Sequence, residues 1–144
     1  MTLTIRPASP TDLDAIMNLW LTGNLAAHDY ISAGFWHAHE AEVRQAMSAS
    51  QLWVAEKNNT LLGFLGLVDD YIAGLFVDAK AQGQGVGGKL VTHLQATHER
   101  LTLAVYQKNT RAIRFYQHHG FILGNSQVDE ATGEKEYLMT WEKN

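Results

Sequence analysis

The segment from Gln82 to Lys89, which reads QGQGVGGK, constrains the fold of this chain more than any other feature. It holds four glycines within six residues, follows the apolar segment Tyr71 to Asp78, and precedes a run with apolar residues at helical spacing. Glycine allows tight turns and close approach of a ligand to the backbone, and the free N–H groups at a helix start attract phosphate. The segment therefore predicts a strand, a phosphate-binding turn and a helix in succession.

Two nucleotide-binding fingerprints fit this segment in part. The glycines satisfy the dinucleotide pattern G-x-G-x-x-G, which also requires an acidic residue about 20 positions further on to hold the ribose. The next acidic residue at the end of a predicted strand is Asp129, which is too distant. The segment also reads G-x-x-x-x-G-K, the start of a P-loop, but Leu90 stands where serine or threonine must hold magnesium. The interpretations as an NAD or ATP site therefore each lack their second half.

Hydrophobic periodicity along the chain predicts one α/β domain over residues 1–144, with a mixed sheet. Ser9 and Pro10 mark the start of the first helix, since serine caps helices and proline suits a first helical position. Three adjacent strands with short links predict an antiparallel meander. In chain order the predicted elements are a strand at Leu3–Arg6, helices at Pro10–Leu25 and Trp36–Ala49 with an irregular segment between them, strands at Leu52–Glu56, Thr60–Asp69 and Tyr71–Asp78, a helix at Gly85–His98, a strand at Leu101–Tyr106, a helix at Asn109–His119, and strands at Phe121–Val128 and Glu136–Trp141.

The composition excludes several classes of function. Apolar residues make up 46% and charged residues 18% of the 144 residues, which is typical of a globular protein and not of a disordered or fibrous one. The chain has no cysteine, so disulfides, cysteine-ligated zinc and thiol nucleophiles are ruled out. With 15 acidic and 11 basic side chains the net charge is −4, and we expect no nucleic-acid partner.

The sequence also argues against a membrane partner and a metal. The longest nearly unbroken apolar run, Leu61 to Val68, is far shorter than the roughly 20 residues of a spanning helix. The first residues lack the pattern of a signal peptide, so we expect a cytoplasmic protein. The seven histidines form no H-E-x-x-H pair, and we expect no metal site.

Two motifs resemble the signatures of the GCN5-related N-acetyltransferases, the GNAT superfamily. Gln82-x-x-Gly85-x-Gly87, after a predicted strand, is similar to the acetyl-CoA-binding motif of that superfamily. The segment from Asn109 to Phe121 is similar to its second signature, N-x-x-A-x-x-F-Y-x-x-x-G-F. The order of strands and helices also resembles the family from end to end. The chain is therefore identified as a compact, bacterial-type member of the superfamily.

The resemblance implies the GNAT fold and a binding mode for acetyl-CoA. The expected fold is a mostly antiparallel mixed sheet of about seven strands with about four helices. Its fourth strand, here Tyr71 to Asp78, is bulged and splays from the fifth, opening a cleft for the pantetheine arm. Gln82 stands where many members have arginine, which removes one positive charge from the site. The residues that the resemblance assigns to the cofactor are Leu75, Phe76, Val77, Gln82, Gly83, Gln84, Gly85, Val86, Gly87, Gly88, Lys89 and Asn109.

Tyr116 is the candidate catalytic residue that follows from the second signature. Asn109 and Tyr116 are seven positions apart and so share one face of a helix. Transfer from a thioester expels a thiolate, whose ordinary pKa is about 8.5, and a phenol with a pKa of about 10 is a suitable proton donor to it. We expect direct transfer of the acetyl group in a ternary complex, without a covalent enzyme intermediate.

The resemblance places the acceptor beside the segment that joins the first two helices. His28, Tyr30, Trp36 and Tyr71 are the candidate substrate-binding residues there. The acceptor is expected to be a primary amine, and a protein lysine, a protein N-terminus, a polyamine and an aminoglycoside all stay open. The acidic balance of the chain favours a cationic acceptor.

The base that removes the proton from the amine is not singled out by the sequence. His28, Asp69, Asp70 and Tyr71 are the candidates on the acceptor side. A non-catalytic module that senses acyl-CoA is the alternative function, although the presence of Tyr116 argues against it. Dimerisation is common in the family, so a homodimer is also open.

Overall fold

The computed structural model describes residues 2–144, and its seven strands form a single mixed sheet. The strands are β1 Thr4–Pro7, β2 Gln51–Lys57, β3 Thr60–Val68, β4 Tyr71–Val77, β5 Arg100–Tyr106, β6 Ile122–Val128 and β7 Lys135–Glu142. The helices are α1 Leu13–Ala27, α2 Ala33–Ala38, α3 Glu40–Ser48, α4 Val86–Gln95 and α5 Thr110–His118, with short 3-10 turns at Pro10–Asp12 and Ala79–Ala81. Within residues 2–144 no helix is both long enough and apolar enough to cross a bilayer.

The sheet has the strand order β1-β2-β3-β4-β5-β7-β6. Neighbours pair antiparallel everywhere except between β4 and β5, which are parallel. The crossover from β4 to β5 runs through the glycine turn and α4, as a parallel connection requires a long crossover, usually helical. The mixed sheet and the β2-β3-β4 meander confirm the fold predicted from the sequence.

Helices cover both faces of the sheet and create two apolar cores. Alternate residues of one strand point to opposite faces, so Phe64 packs with α1 and α2 while its neighbour Leu65 packs with α4. On β2, Val54 likewise packs in the core with Phe64, and Ala55 packs in the core with Leu65. The α4–α5 face carries the larger core, and the α1–α3 face carries the smaller one, which includes Trp20.

The second predicted helix, Trp36–Ala49, is wrong as a single element, because the chain forms two helices that meet at His39. The His39 ring Nδ1 lies 2.7 Å from the Phe35 carbonyl oxygen, the acceptor that its own N–H would use in a continuous helix. The His39 N–H donates to the Trp36 carbonyl instead. Residues 2–144 therefore form five helices where about four were expected.

Two helix ends also differ from the predictions. The first helix extends to Ala27, beyond the predicted Leu25 and into the segment expected to be irregular. The fourth helix ends at Gln95 and not at His98, because the Thr97 N–H turns to the Leu94 carbonyl in a tighter turn. The two added residues of α1 matter for the site, because they continue the helix as far as His28 and so place the His28 ring beside Asn24, four positions earlier.

Candidate active site

A cleft opens where β4 and β5 separate, and it has two adjoining chambers. We name the first the α1 chamber; it has a volume of about 380 Å³ and lies between α1, α2, β4 and β5. The second, the glycine chamber, has a volume of about 390 Å³ and lies between the glycine turn, β4 and α5. The residues that line both chambers are Ala27, Leu75, Val77, Gln82, Asn109, Ala112 and Tyr116.

The separation of the two strands starts immediately after their one register pair. Tyr71 on β4 pairs with Thr102 on β5, and no further pair joins these strands within the described residues. The register of β4 against β3 also shifts across Ala73, which is a bulge. The cleft-side main chain of Leu75 to Val77 is therefore not hydrogen-bonded to β5. The expected bulge and splay of the fourth strand are present.

The side chains of this β4 segment are largely part of the cores. Leu75 and Val77 pack against the α4–α5 core, whereas Phe76 packs against the α1–α3 core and stacks on Phe64 at 5.5 Å between ring centroids. All three residues also line the α1 chamber. A ligand in the cleft can therefore contact mainly the main chain of this segment.

The glycine turn presents an open backbone to the second chamber. Gly83 and Gly85 have φ angles of +83° and +81°, a left-handed conformation that favours glycine. No other atom lies within 4 Å of where a Cβ would be at either position. A ligand can therefore approach the main chain here.

Gly87 and Gly88 serve a different purpose, which is close packing of α4 on α5. A Cβ at Gly87 would lie 3.3 Å from the Phe115 ring, and one at Gly88 would lie 3.0 Å from Nε2 of His119. The sequence pattern did not separate these two roles. Glycine in the first pair allows the turn, and glycine in the second pair allows two helices to approach.

The N–H groups of the glycine turn are only partly available to an anion. The first bond within α4 runs from the Lys89 N–H to the Gly85 carbonyl at 3.1 Å, so the N–H groups of the preceding turn have no partner in the helix. The Gln84 N–H donates to the Ala81 carbonyl at 3.3 Å. Gln84 and Lys89, both predicted to hold the cofactor, thus use their N–H groups within the protein, and neither residue lines a chamber.

Tyr116 on α5 stands where the two chambers meet. It is 8% exposed and packs edge-on against Phe121 and against its neighbour Phe115. Burial raises the pKa of its phenol well above the ordinary value of 10.0, and the nearby Tyr71 raises it further. The hydroxyl is therefore protonated at neutral pH, as a proton donor must be.

A chain of side-chain hydrogen bonds links α1 to the start of α5. Nδ2 of Asn24 donates to the Trp20 carbonyl at 2.9 Å, and Oδ1 of Asn24 lies 2.9 Å from Nδ1 of His28. Nε2 of His28 lies 3.3 Å from Nδ2 of Asn109. At the far end, Oδ1 of Asn109 accepts the Ala112 N–H at 3.2 Å and caps α5. Asn109 is thus a helix cap, and it also faces the cleft.

The predicted substrate residues do not all reach the cleft. His28, Trp36 and Tyr71 line the α1 chamber, whereas Tyr30 lies behind His28, with 5.7 Å between their ring centroids. Burial, with Glu134 and Asp29 nearby, raises the pKa of Tyr30 to about 12. Among the candidate bases, Asp69 and Asp70 line neither chamber.

Several lining residues were not predicted from the sequence. Asn24, Tyr106 and Glu136 line the α1 chamber, and Arg111 lines the glycine chamber. Tyr106 donates its hydroxyl hydrogen to Oδ2 of Asp129 at 2.7 Å, and burial raises its pKa. The four-residue spacing of Asn24 and His28 was the one sequence signal that these side chains are neighbours. It indicates this only if α1 extends to Ala27, beyond its predicted end. In residues 2–144 no three histidine, aspartate or glutamate side chains form a group that could hold a metal ion.

Comparison with known proteins gives the family. Residues 48–123 match the family model described as an acetyltransferase (GNAT) domain. The chain is 37% identical over 139 residues to the peptidyl-lysine N-acetyltransferase YiaC of Escherichia coli K12, and the match covers 95% of each chain. It is 32% identical over 132 residues to the peptidyl-lysine N-acetyltransferase YjaB of the same organism, with 90% of each chain covered.

Solved structures agree with these sequence matches. The solution structure of the apo form of YjaB from Escherichia coli superposes with a TM-score of 0.87 at 28% identity, covering 98% of each chain. A GCN5-related N-acetyltransferase from Rhodopseudomonas palustris superposes with a TM-score of 0.82 at 20% identity, covering 99% of this chain and 97% of that one. The second likeness is one of fold. The splayed sheet, the glycine turn and these matches together establish that the chain is an enzyme of the GNAT family, the N-acetyltransferases that use acetyl-CoA.

Proposed function

We propose that this enzyme transfers an acetyl group from acetyl-CoA directly to the ε-amine of lysine side chains in proteins. The observation that carries the proposal is the meeting of the two chambers at Tyr116. A donor held in the glycine chamber and an amine held in the α1 chamber would come together beside one protonated phenol. We further propose that residues 1–144 form a single acetyltransferase domain.

The residues around the glycine chamber fit the phosphate and pantetheine parts of acetyl-CoA. The unpartnered N–H groups of Val86, Gly87 and Gly88 suit a pyrophosphate, because a helix start carries partial positive charge. Arg111, which lines the same chamber, adds the positive charge that Gln82 does not provide. The free main chain of Leu75 to Val77 suits an extended amide-containing arm.

Tyr116 supplies the acid in the proposed mechanism. The amine nitrogen attacks the thioester carbonyl, forms a C–N bond and loses one proton to a base. The C–S bond breaks, and the Tyr116 hydroxyl protonates the departing sulfur. Burial keeps the phenol neutral until that step. Held in one cleft, donor and acceptor react without a covalent enzyme intermediate.

Lysine is the favoured acceptor because of the relatives and the walls of the α1 chamber. YiaC and YjaB are both named peptidyl-lysine N-acetyltransferases. Trp36 and Tyr106 offer aromatic surface to an alkyl stem, and Glu136 offers a carboxylate to the ammonium group. We propose that a lysine side chain enters between these residues.

Two measurements on the purified chain test the proposal. A thermal-shift series with acetyl-CoA, CoA, NAD and ATP measures cofactor choice, since a ligand at 100 times its Kd adds about 2.7 kcal/mol to the free energy of unfolding. Release of free CoA thiol, with mass spectrometry of the product, measures transfer to lysine peptides with blocked N-termini, to peptides with a free N-terminus only, and to spermidine.

The expected result is stabilisation by acetyl-CoA and acetylation of the blocked lysine peptides. Stabilisation without transfer to any amine would indicate an acyl-CoA sensor. Transfer restricted to free N-termini or to spermidine would contradict the lysine assignment. Stabilisation by NAD or ATP in place of acetyl-CoA would contradict the cofactor assignment.

A further inference from the structure

We infer that His28 is the base that takes the proton from the attacking amine, an inference that rests on the proposed function. The sequence left four candidates for this base, and they differ in whether they line a chamber of the cleft. Asp69 and Asp70 line neither chamber, while His28 and Tyr71 line the α1 chamber. Burial raises the pKa of Tyr71, so its phenol is protonated at neutral pH and cannot accept a proton.

The hydrogen-bond chain through His28 determines which ring nitrogen carries the proton. Asn24 uses its N–H₂ group on the Trp20 carbonyl, so its Oδ1 can only accept, and Nδ1 of His28 must donate to it. Asn109 accepts the Ala112 N–H through Oδ1, so its Nδ2 is the donor toward Nε2 of His28. The bonds of Asn24 and Asn109 to main-chain groups thus require the Nδ1–H tautomer of His28. Nε2 is therefore unprotonated, and its lone pair accepts the bond from Asn109.

That lone pair lies beside a residue that lines both chambers. Nε2 of His28 is 3.3 Å from Nδ2 of Asn109, and Asn109 lines both chambers. A bond of 3.3 Å is longer than the usual 2.9 to 3.0 Å, so an amine can displace it at little cost. Asn24, on the opposite side of the ring, holds the ring orientation in the way that a second residue orients a catalytic histidine.

The other groups that face the His28 ring are uncharged at neutral pH. They are Tyr30 from the α1–α2 segment, Trp36 from α2 and Tyr106 from β5, at centroid distances of 5.7, 5.7 and 5.0 Å. Both tyrosines have raised pKa values, and the Tyr106 hydroxyl bonds to Asp129. Burial lowers the pKa of His28 below its ordinary value of 6.5, so the ring is neutral at physiological pH and can accept a proton.

Two proton transfers accompany the transfer of the acetyl group. As the amine forms its C–N bond, one N–H proton moves to Nε2 of His28, and the Tyr116 proton moves to the sulfur as the C–S bond breaks. The products are the amide and the CoA thiol, with an imidazolium at His28 and a phenolate at Tyr116. Proton exchange through water in the cleft neutralises both groups, and the net reaction consumes one neutral amine and one thioester.

The rival base is Glu136, the carboxylate that lines the same chamber. Its Oε1 accepts a hydrogen bond from Nε2 of Gln127 at 2.8 Å. The test therefore compares His28→Gln with Glu136→Gln in the full chain, using acetyl-CoA and a lysine peptide. His37→Gln is the matched control, because His37 is exposed on α2 and lines neither chamber.

We expect His28→Gln and His28→Ala to lower kcat about 100-fold with little change in the Kd for CoA. The wild-type pH profile should fall on its acid side with a midpoint below 6.5, and this fall should be lost in both variants. Added imidazole should restore part of the activity of His28→Ala, where the ring has left a space, and none of that of His28→Gln. Glu136→Gln should keep the acid-side fall.

Asn24→Asp gives a second test, in which the acid-side midpoint of the pH profile should move in a predicted direction. A carboxylate opposite the Nδ1–H favours the imidazolium and should move the acid-side midpoint up by about one pH unit. A residue with a merely structural role would not shift the midpoint.

The outcomes separate the inference from the proposed function. A wild-type protein that acetylates no amine contradicts the proposed function and, with it, any role of His28 in transfer. An active wild type whose acid-side fall persists in His28→Gln, or disappears in Glu136→Gln, contradicts the inference alone. Loss of the fall in the His28 variants together with imidazole rescue supports it.

Discussion

Gly23 on α1 lies directly against the ring of Phe76 on β4. A Cβ at position 23 would lie 2.5 Å from Cδ1 of Phe76, closer than real Cβ contacts allow. Phe64 stacks on one face of this ring, with 5.5 Å between the centroids, and limits how far the ring can move. This contact sets the distance between α1 and β4, and both residues line the α1 chamber.

Gly23→Ala should therefore destabilise the protein although alanine favours helices. We expect the free energy of unfolding to fall by about 1 to 2 kcal/mol, since overpacking costs more than the roughly 1 kcal/mol that helix propensity returns. The KM for the amine should rise more than the Kd for CoA. Urea unfolding and steady-state kinetics measure these changes.

Gly34→Ala is the matched control for this substitution. Gly34 also lies in a helix, α2, but no atom lies within 4 Å of its missing Cβ. Alanine there should raise the free energy of unfolding by about 0.5 kcal/mol. Equal effects of the two substitutions would contradict the packing argument.

Tyr116→Phe should separate chemistry from binding. Without the hydroxyl, the thiolate leaves unprotonated, so kcat should fall by about 100-fold or more. The Kd for CoA should change less than about twofold, because the ring still packs on Phe115 and Phe121. Single-turnover kinetics measure the rate of transfer, and calorimetry measures the Kd for CoA.

Tyr137→Phe serves as the control for loss of a phenol. Tyr137 lies on β7, is partly buried against the α4–α5 core and lines neither chamber. Its variant should keep wild-type kcat. A Tyr116→Phe enzyme with wild-type turnover would remove the proposed acid.

Arg111→Gln should weaken binding of CoA through loss of charge. Arg111 lines the same glycine chamber as the start of α4, and the residue is exposed to solvent. We expect the Kd to rise about 3- to 10-fold in about 0.05 M salt and less in about 0.5 M salt, because salt screens exposed charges. Arg114→Gln, on the same helix but outside both chambers, should have no such effect. A salt-independent loss for Arg111→Gln would contradict an electrostatic role.

Asp12→Asn should reveal a pH-dependent contribution to stability. Nη1 of Arg6 donates to Oδ2 of Asp12 at 2.8 Å and the Ser9 N–H donates to the same oxygen at 2.8 Å. The Arg6 hydrogen bond is the main reason that the pKa of Asp12 falls from 3.8 to about 2. Because the folded pKa is below the unfolded one, the stabilisation is complete above pH 3.8 and is lost as the pH falls toward 2.

The expected loss for Asp12→Asn is about 1 to 2 kcal/mol at pH 7. Urea unfolding from pH 7 down to pH 3 should show the difference from wild type constant at first and then shrinking. Asp14→Asn is the control, because the Asp14–Arg44 pair is exposed and should contribute less than about 1 kcal/mol. A difference for Asp12→Asn that does not shrink below pH 4 would contradict the role of the Arg6 bond.

Short stretches of sequence were enough to predict the elements that frame the site. The glycine turn depends on local φ angles, as Gly83 and Gly85 show, and the start of α5 depends on the cap at Asn109. The boundaries of these elements were close to those in the structure. The same local reasoning did not detect the break at His39, where a side chain competes for the carbonyl that a continuous helix needs.

Periodicity predicted the sheet, and the resemblance of two motifs to the GNAT signatures predicted the family and the candidate acid Tyr116. Which side chains line the cleft depends on tertiary packing. His28, Tyr71, Asn109 and Glu136 come from four separate regions of the chain and meet in or beside one chamber. Their approach depends on the splay of β4 from β5 and on the packing of α1 over Phe76. Contacts between residues that are distant in the chain leave no periodic signal in a single sequence, which is why the hydrogen bond between His28 and Asn109 could not be predicted.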